Sequence, residues 1–279
     1  MTETLIILAA GASSRMKKTL AQAQKSDLMP TNKALIPLGT AKIPALDFLL
    51  NNVVKAGFKD VVLVVSPGSE EFKERYGQRE HGNLYRGLRI AYAYQYLPND
   101  ALKPMGTADA LLQALQQYPK LSSASFVLCN ADNLYSIKAL TLLRQCDAPN
   151  ALMSYDRDAL KFPITKIRAF ALLVVNENKE LLQLEEKPNE EMTGWIQERM
   201  NRLLVSMNLW KFNGSDIIRA LRVCPIHPIR QEKELPMAAQ ILVKDLSCPI
   251  QVLEIAEHVP DLTAASDIAL VEKQLGLHH

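Results

Sequence analysis

The sequence is 279 residues long, with 48% hydrophobic and 22% charged residues, a balance typical of globular proteins that excludes a disordered tail or a coiled coil. Lysine and arginine total 32 and aspartate and glutamate total 30, so the net charge of +2 gives no general attraction for nucleic acid or an anionic membrane. At roughly 150 residues per domain, the length suits one or two domains.

The first half of the chain alternates β-rich runs with helical patterns, which predicts an α/β fold with a mainly parallel sheet and helices on both faces. Residues 5–10 (LIILAA) are typical of a fully buried central strand. Leucine and valine recur at helical spacing over 45–56, and Gly57 is suited to end that helix. The other predicted elements are strands at 60–66, 89–95 and 125–130 and a helix at 107–118.

The second half has a different pattern, with β-rich runs that follow one another. Strands are predicted at 151–156, 164–175, 181–186, 203–212 and 249–255, and helices at 189–200, 214–222, 236–244 and 263–275. No flexible linker separates the halves. We therefore expect residues 1–150 and 151–279 to share a sheet within a single domain.

Cysteines and apolar runs give no sign of a zinc site, secretion or a membrane span. The four cysteines form no CxxC pair. The apolar runs are far shorter than the about 20 residues that a membrane helix needs. Glu3 precedes the first apolar run with no basic stretch, which is a poor secretory signal. A reduced, cytoplasmic protein is the expectation.

The segment LAAGASSRM (8–16) directly follows the first predicted strand. Its small residues allow a sharp turn whose successive N–H groups can surround an anion, and the guanidinium of Arg15 suits phosphate. The segment is neither a GxxxxGK[ST] loop nor a GxGxxG loop. Taken alone, a turn of this composition is more often just a tight turn.

Four further segments carry polar residues at the ends of predicted elements: NKALIPL (32–38), GTADA (106–110), NADN (130–133) and EEKP (185–188). Thr107 can cap the helix that it begins. Asp132 follows a buried parallel strand at its carboxyl end, where open α/β sheets bind ligands, and a carboxylate there suits Mg²⁺. Each segment alone also fits a solvated charge, a helix cap or a turn.

Together, in this order, the five segments resemble the motifs of the sugar-1-phosphate nucleotidyltransferases, or NDP-sugar pyrophosphorylases. That family has LAAGxG[ST]RM, a PK-type lysine, GTA, a strand-end GD or DN, and EKP. Residues 205–212 (VSMNLWKF), 234–236 (ELP) and 261–267 extend the likeness over most of the chain. The resemblance implies a Rossmann-like three-layer sandwich with a mixed, mainly parallel central sheet, of the nucleotide-diphospho-sugar transferase type.

The resemblance also implies roles for matching residues in an NTP-binding half, 1–150. Arg15 and Lys33 would neutralise the triphosphate as pyrophosphate leaves. The loop would hold the phosphates, Gln95 would contact the base edge, and Gly106 would let the backbone meet the base or sugar. The NTP-binding set is Ala10, Gly11, Ala12, Ser13, Ser14, Gln95, Gly106 and Thr107.

The same resemblance places the acceptor and a metal with residues of both halves. Glu186 would bind a sugar hydroxyl, Lys187 the acceptor phosphate, and Asn208 would lie in the acceptor site. Asp132 would bind Mg²⁺, with Asp261 as a candidate second carboxylate. The implied reaction is an in-line attack of a sugar 1-phosphate on the α-phosphorus of an NTP. Because the attacking phosphate is already anionic, catalysis needs orientation and charge neutralisation and no strong base.

Several positions depart from the family pattern. Ser13 replaces the second loop glycine, Asn32 the proline before the lysine, and Ala131 the strand-end glycine. Asn208 replaces a frequent glycine, and asparagine tolerates positive φ, so we expect the backbone to be kept. The loop arginine and the lysine are 18 positions apart, a longer gap than usual, and the polar insertion at 17–32 is expected to be a surface loop.

Two alternatives to the sugar transferase stay open. The GxSSRM pattern also occurs in molybdenum-cofactor nucleotidyltransferases, so the acceptor could be molybdopterin or a phospho-alcohol such as phosphocholine. The departures also allow a nucleotide sensor without turnover. The sequence determines neither base nor sugar. A homo-oligomer is compatible with the resemblance, and neither nucleic acid nor a membrane is expected as a partner.

Overall fold

The computed structural model describes residues 1–11, 16, 18, 19, 21, 32–98 and 103–277. Within these ranges, ten strands form one mixed sheet and two short strands form a separate ladder. The strands are β1 (Thr4–Leu8), β2 (Pro37–Leu38), β3 (Ile43–Pro44), β4 (Asp60–Val65), β5 (Asn83–Tyr85), β6 (Leu88–Tyr94), β7 (Ser125–Asn130), β8 (Ala151–Asp156), β9 (Leu172–Val175), β10 (Leu181–Glu185), β11 (Leu204–Asn213) and β12 (Gln251–Ile255). The helices are α1 (Ala45–Lys55), α2 (Glu70–Tyr76), α3 (Thr107–Gln117), α4 (Ile137–Gln145), α5 (Ile164–Ile167), α6 (Glu190–Met200), α7 (Gly214–Val223), α8 (Leu235–Lys244) and α9 (Ser266–Gln274).

Four parallel strands of the first half lie side by side in the order β7, β1, β4, β6. Leu8, at the end of β1, is paired with Asn130 at the end of β7 and with Val64 near the end of β4. The segments that follow these strands therefore leave the sheet at one edge, which is the edge where open α/β sheets bind ligands.

Strand β11 joins the two halves in one sheet. It is antiparallel to β7 on one edge and to β8 on the other, and β8 in turn pairs with β12. The register with β8 shifts between Ser206 and Trp210. Asn208 lies inside this bulge at φ +58°, which confirms that asparagine keeps a left-handed backbone at this position.

Helices cover both faces of the sheet, because alternate residues of each strand point to opposite sides. Leu5 and Ile7 of β1 belong to one buried cluster, which includes α1 and α4. Ile6 belongs to the other cluster, which includes α3, α7 and α8. This three-layer α/β arrangement with a mixed sheet confirms the predicted fold class.

The predicted strand at 164–175 is wrong over its first part, which forms helix α5 and is followed by β9. Pro163 begins the helix, and Ile167 and Phe170, three residues apart, pack beside the core at helical spacing. Helices α2 and α4 and the short strand β5 were not predicted. None of the helices in the described ranges is long and apolar enough to span a bilayer.

Candidate active site

A cleft of about 580 Å³ opens at the carboxyl ends of β1 and β7. Both halves of the chain supply its walls. The predicted site residues that line it are Ala10, Gly11, Lys33, Gln95, Gly106, Thr107, Asp132, Glu186 and Asn208. The predicted residues Ala12, Ser13, Ser14 and Arg15 lie outside the described residues, so their roles stay predictions. The structure therefore brings most of the predicted set to one cleft.

The loop after β1 is held by hydrogen bonds to the neighbouring strand ends. The N–H of Ala9 donates to the carbonyl of Val64 at 2.8 Å, and the hydroxyl of Ser66 donates to the carbonyl of Ala10 at 3.1 Å. A Cβ added to Gly11, which lines the cleft, would meet no atom of the described residues within 4 Å. Packing among those residues therefore does not require glycine at this position.

Asn32 positions Lys33 beside this loop. Its side-chain oxygen accepts the N–H of Ala34 at 2.9 Å and so caps the short 3₁₀ turn Lys33–Leu35, while its amide donates to the carbonyl of Ala9. Asparagine in place of the family's proline thus attaches the lysine turn to the end of β1. The ammonium of Lys33 forms an ion pair with Asp132 across the cleft.

Two carboxylates, those of Asp132 and Asp261, lie on adjacent extended segments. The N–H of Leu262 donates to the carbonyl of Asp132 at 2.9 Å, and Asn133 and Asp261 form an antiparallel bridge. Burial, and next the charge of Asp132, raise the pKa of Asp261. A divalent cation between two such carboxylates would relieve their repulsion.

The donor set fits Mg²⁺. Among the described residues, no group of three or more His, Cys, Asp or Glu side chains could hold a metal alone. Mg²⁺ typically takes one or two protein carboxylates and completes its shell with water and substrate phosphates. Asp132 and Asp261 supply two oxygen donors of that kind.

Gln95, the predicted base contact, forms a hydrogen-bonded pair with Asp109. The Nε2 of Gln95 donates to Asp109 at 2.9 Å and to the carbonyl of Gly106 at 3.0 Å. Since both partners are acceptors, the orientation of the amide is fixed by chemistry. Both recorded hydrogen bonds of the Gln95 side chain use its amide N–H groups, so its amide oxygen is the atom suited to accept a hydrogen bond from a ligand.

Gly106 and Thr107 are held by the segment that leads into α8. Gly106 has φ +96°, and a Cβ there would lie 2.5 Å from the carbonyl oxygen of Lys233. Close packing therefore requires glycine, independently of any ligand. The prediction that Thr107 caps its own helix is wrong, because Gly106 is the N-cap of α3. The hydroxyl of Thr107 instead accepts the N–H of Leu235, the first residue of α8, at 3.0 Å.

Another part of the cleft contains Arg230, which pairs with two carboxylates. Its guanidinium donates to Glu186 at 2.6 Å and also pairs with Glu234. Burial, and next the charge of Glu186, raise the pKa of Glu234. Lys187 is exposed at φ +48° and does not line the cleft, so its predicted phosphate contact stays a prediction.

A sequence profile of the family described as nucleotidyl transferase matches residues 4–241. The chain belongs to this family. Glucose-1-phosphate adenylyltransferase of Methylobacillus flagellatus is 25% identical to this nucleotidyl transferase over 222 residues, which cover 77% of the chain and 48% of that relative. The bifunctional protein GlmU of Acetivibrio thermocellus is 32% identical over 127 residues, 46% of this chain and 21% of GlmU. The chain thus spans about half the length of the first of these relatives.

A solved structure has the same fold as this nucleotidyl transferase. UDP-glucose pyrophosphorylase complexed with UDP-glucose superposes with a TM-score of 0.70 over 99% of both chains at 14% sequence identity. At this identity the likeness establishes the fold alone. The predicted nucleotide-diphospho-sugar transferase architecture is therefore confirmed.

Three charged residues of the cleft lie outside all the segments singled out in the sequence: Lys103, Arg230 and Glu232. The ammonium of Lys103 donates to Glu232 and to the carbonyl of Arg230, both at 2.6 Å. These contacts join positions more than 120 residues apart. The one local signal was the position of Arg230 shortly before the ELP segment, and single charges in a loop are usually solvated.

Proposed function

We propose that this nucleotidyl transferase joins an NTP to a sugar 1-phosphate, giving an NDP-sugar and pyrophosphate. The observation that carries the proposal is the pairing of Lys33 with Asp132 in a cleft that Glu186 and Asn208 also line. Lys33, Asp132 and Glu186 match motifs of the family, and the relative from Methylobacillus flagellatus is named for glucose 1-phosphate. Residues 1–150 would supply the nucleotide side and 151–279 the acceptor side of a single domain.

In this proposal, the chain's own residues orient the two phosphates and neutralise charge. The loop at Ala10 and Gly11 receives the nucleotide phosphates, and Lys33 moves from Asp132 to the triphosphate. Glu186, held by Arg230, accepts a hydrogen bond from a sugar hydroxyl. An acceptor phosphate is already anionic, so no residue of the cleft has to remove a proton from it.

Asp132 and Asp261 are the residues that would hold Mg²⁺. When bound, the ion would supply Lewis-acid stabilisation of the charge that develops on the phosphate oxygens. Lys33, the ion-pair partner of Asp132, would then be able to contact the triphosphate. A cytoplasmic location and a homo-oligomer stay predictions.

The test is pyrophosphate release with Mg²⁺ from ATP, UTP, CTP, GTP or dTTP, each with a panel of sugar 1-phosphates, phosphocholine and molybdopterin. The names of the relatives make ATP and UTP with glucose 1-phosphate the first pairs. Release with a sugar 1-phosphate supports the proposal. Release only with phosphocholine or molybdopterin assigns the other acceptor class, and nucleotide binding without release contradicts turnover.

Site variants test the assigned roles. Lys33→Met and Asp132→Asn should each lower kcat about 10²- to 10³-fold, since each removes charge complementarity at the reacting phosphates. Lys55→Met, at the exposed end of α1, is the matched control and should leave kcat unchanged. Unaltered thermal unfolding would show that the variants fold. Full activity of both site variants would refute these roles.

A further inference from the structure

The second carboxylate of the proposed metal site is already neutralised by a lysine that the family motifs do not include. The ammonium of Lys166 lies 2.7 Å from Oδ2 of Asp261. The same oxygen accepts the hydroxyl of Thr263 at 2.7 Å, and Oδ1 accepts the amide of Asn133 at 3.2 Å. Both oxygens of this buried carboxylate therefore have partners.

A short helix, α5, presents Lys166 to this carboxylate. The lysine side chain is 22% exposed, and its ammonium lies 4.6 Å from the centre of the Phe162 ring. A largely buried ammonium between an aromatic face and a carboxylate is stabilised at this position. It occupies Oδ2 of Asp261, one of the two oxygens through which this carboxylate could bind a metal ion.

A second carboxylate is ready to receive the lysine. Asp267 lies 3.4 Å from the same ammonium, and its Oδ2 also accepts the N–H groups of Thr263 and Ala264, each at 2.8 Å. Lys166 can therefore leave Asp261 by a small side-chain movement and keep an ion-pair partner. Asp132, the other proposed metal ligand, likewise forms an ion pair with a lysine, Lys33.

We propose that Lys166 is an internal counter-ion that competes with the divalent cation for Asp261, and that metal binding transfers Lys166 to Asp267. Burying the Asp261 charge without a cation would be costly, so the lysine keeps the free site folded. Because a metal ion must displace Lys166 from Asp261, the affinity for the metal is low until nucleotide phosphates supply further ligands. This inference rests on the proposed function, since it assumes a metal at Asp132 and Asp261.

The experiment measures Mn²⁺ binding alone, by the electron paramagnetic resonance signal of free Mn²⁺ at pH 8. Mn²⁺ prefers the same oxygen ligands as Mg²⁺. Lys166→Met should bind Mn²⁺ at least about tenfold more tightly than the parent chain, equivalent to about 1.4 kcal/mol. Asp267→Asn should bind it more weakly, because Lys166 then has no second partner. Lys161→Met, an exposed lysine before the same helix, should leave the affinity unchanged.

Two further variants keep the proposal falsifiable. Lys166→Gln is neutral but can still donate to Asp261, and it should also tighten Mn²⁺ binding if Lys166→Met fails to fold. Adding Asp261→Asn to Lys166→Met should remove the gain, which locates the metal at Asp261. Mn²⁺ should also raise the Tm of Lys166→Met more than that of the parent. Equal Mn²⁺ affinity in the parent, Lys166→Met and Lys166→Gln would overturn the proposal.

The Mn²⁺-binding experiment tests Lys166 independently of the transferase assay, because it contains neither nucleotide nor acceptor. Tight Mn²⁺ binding by Lys166→Met, with no pyrophosphate release from any substrate pair, would contradict the proposed transferase activity and support the counter-ion role of Lys166. Pyrophosphate release with no effect of Lys166 on Mn²⁺ binding would do the reverse.

Discussion

The hydroxyl of Thr107 and the N–H of Leu235 form a 3.0 Å hydrogen bond that links the first turns of α3 and α8. Glu234, the N-cap of α8, makes no capping hydrogen bond with its side chain. Thr107 therefore performs the capping role from another helix. The bond fixes the wall of the cleft that contains Gly106 and Glu234.

Thr107→Ala should lower the free energy of unfolding by about 1 kcal/mol, the usual cost of losing a helix cap. Urea denaturation measures the loss, and Thr107→Ser should restore most of it because the hydroxyl returns. Thr193→Ala is the control, since the hydroxyl of Thr193 donates to the carbonyl of Asn189 at the start of its own helix. An equal loss of unfolding free energy in Thr107→Ala and Thr193→Ala would contradict the capping of α8 by Thr107.

Gly106→Ala and Gly194→Ala should change stability in opposite directions. At Gly106 the new Cβ would lie 2.5 Å from the oxygen of Lys233 at φ +96°, so about 1–3 kcal/mol should be lost. A Cβ added to Gly194, inside α6, would meet no atom of the described residues within 4 Å outside its own helix turn. Alanine there should add about 0.5–1 kcal/mol through its higher helix propensity. Thermal and urea unfolding of both variants give the comparison, and a stable Gly106→Ala would contradict the observed packing.

The pH dependence of stability should reveal the buried carboxylate of Asp47. Burial acts to raise the pKa of Asp47, but hydrogen bonds from Arg75, Tyr85 and Tyr76 outweigh it and lower the pKa. A lowered pKa in the folded state means stability that is present at neutral pH and is lost as the pH falls through that value.

Asp47→Asn should therefore cost about 2–4 kcal/mol at pH 7, less than a fully buried pair because Arg75 is 39% exposed. The difference from the parent should shrink below about pH 4, near the ordinary pKa of aspartate. Asp60→Asn, which breaks the exposed pair with Arg89, should change stability much less, because solvent screens that pair. A pH-independent loss for Asp47→Asn would contradict the lowered pKa.

Arg230→Met should raise the KM for the acceptor about tenfold and leave the KM for the nucleotide nearly unchanged. Without the guanidinium, Glu186 and Glu234 repel each other and Glu186 loses its orientation. Steady-state kinetics with each substrate varied in turn test this. Arg222→Met, an exposed residue of α7, is the control. A rise confined to the nucleotide KM would place Arg230 on the other side of the cleft.

The buried parallel strands were predictable because they are continuous apolar runs. Strand β7 was predicted at its observed bounds, and β4 to within one residue. Helix α5 was not, since Ile164, Ile167 and Phe170 lie in a run that also suits a strand. Helix α2 buries only Phe72 and Tyr76, too few residues for a helical period to appear.

The meeting of Lys33 and Asp132 was predictable from motif order and strand ends. The partners of Lys166 and Arg230 were not, because those ion pairs join segments that lie far apart in the chain. The position of a charged residue relative to its own strand or helix follows from the local sequence pattern. The distant carboxylate with which it pairs does not.

The central position of β11 has a consequence for biosynthesis. Apart from β1, strand β7 pairs only with β11 among the described strands, and residues 131–203 separate the two in the chain. During translation, the parallel strands β1, β4, β6 and β7 can assemble before β11 is available. One edge of the apolar strand β7 then still has unpaired backbone N–H and C=O groups. That edge is a template for pairing with other chains until residue 213 has left the ribosome. A nascent chain that stalls before this point would therefore be the form of the protein most prone to aggregate.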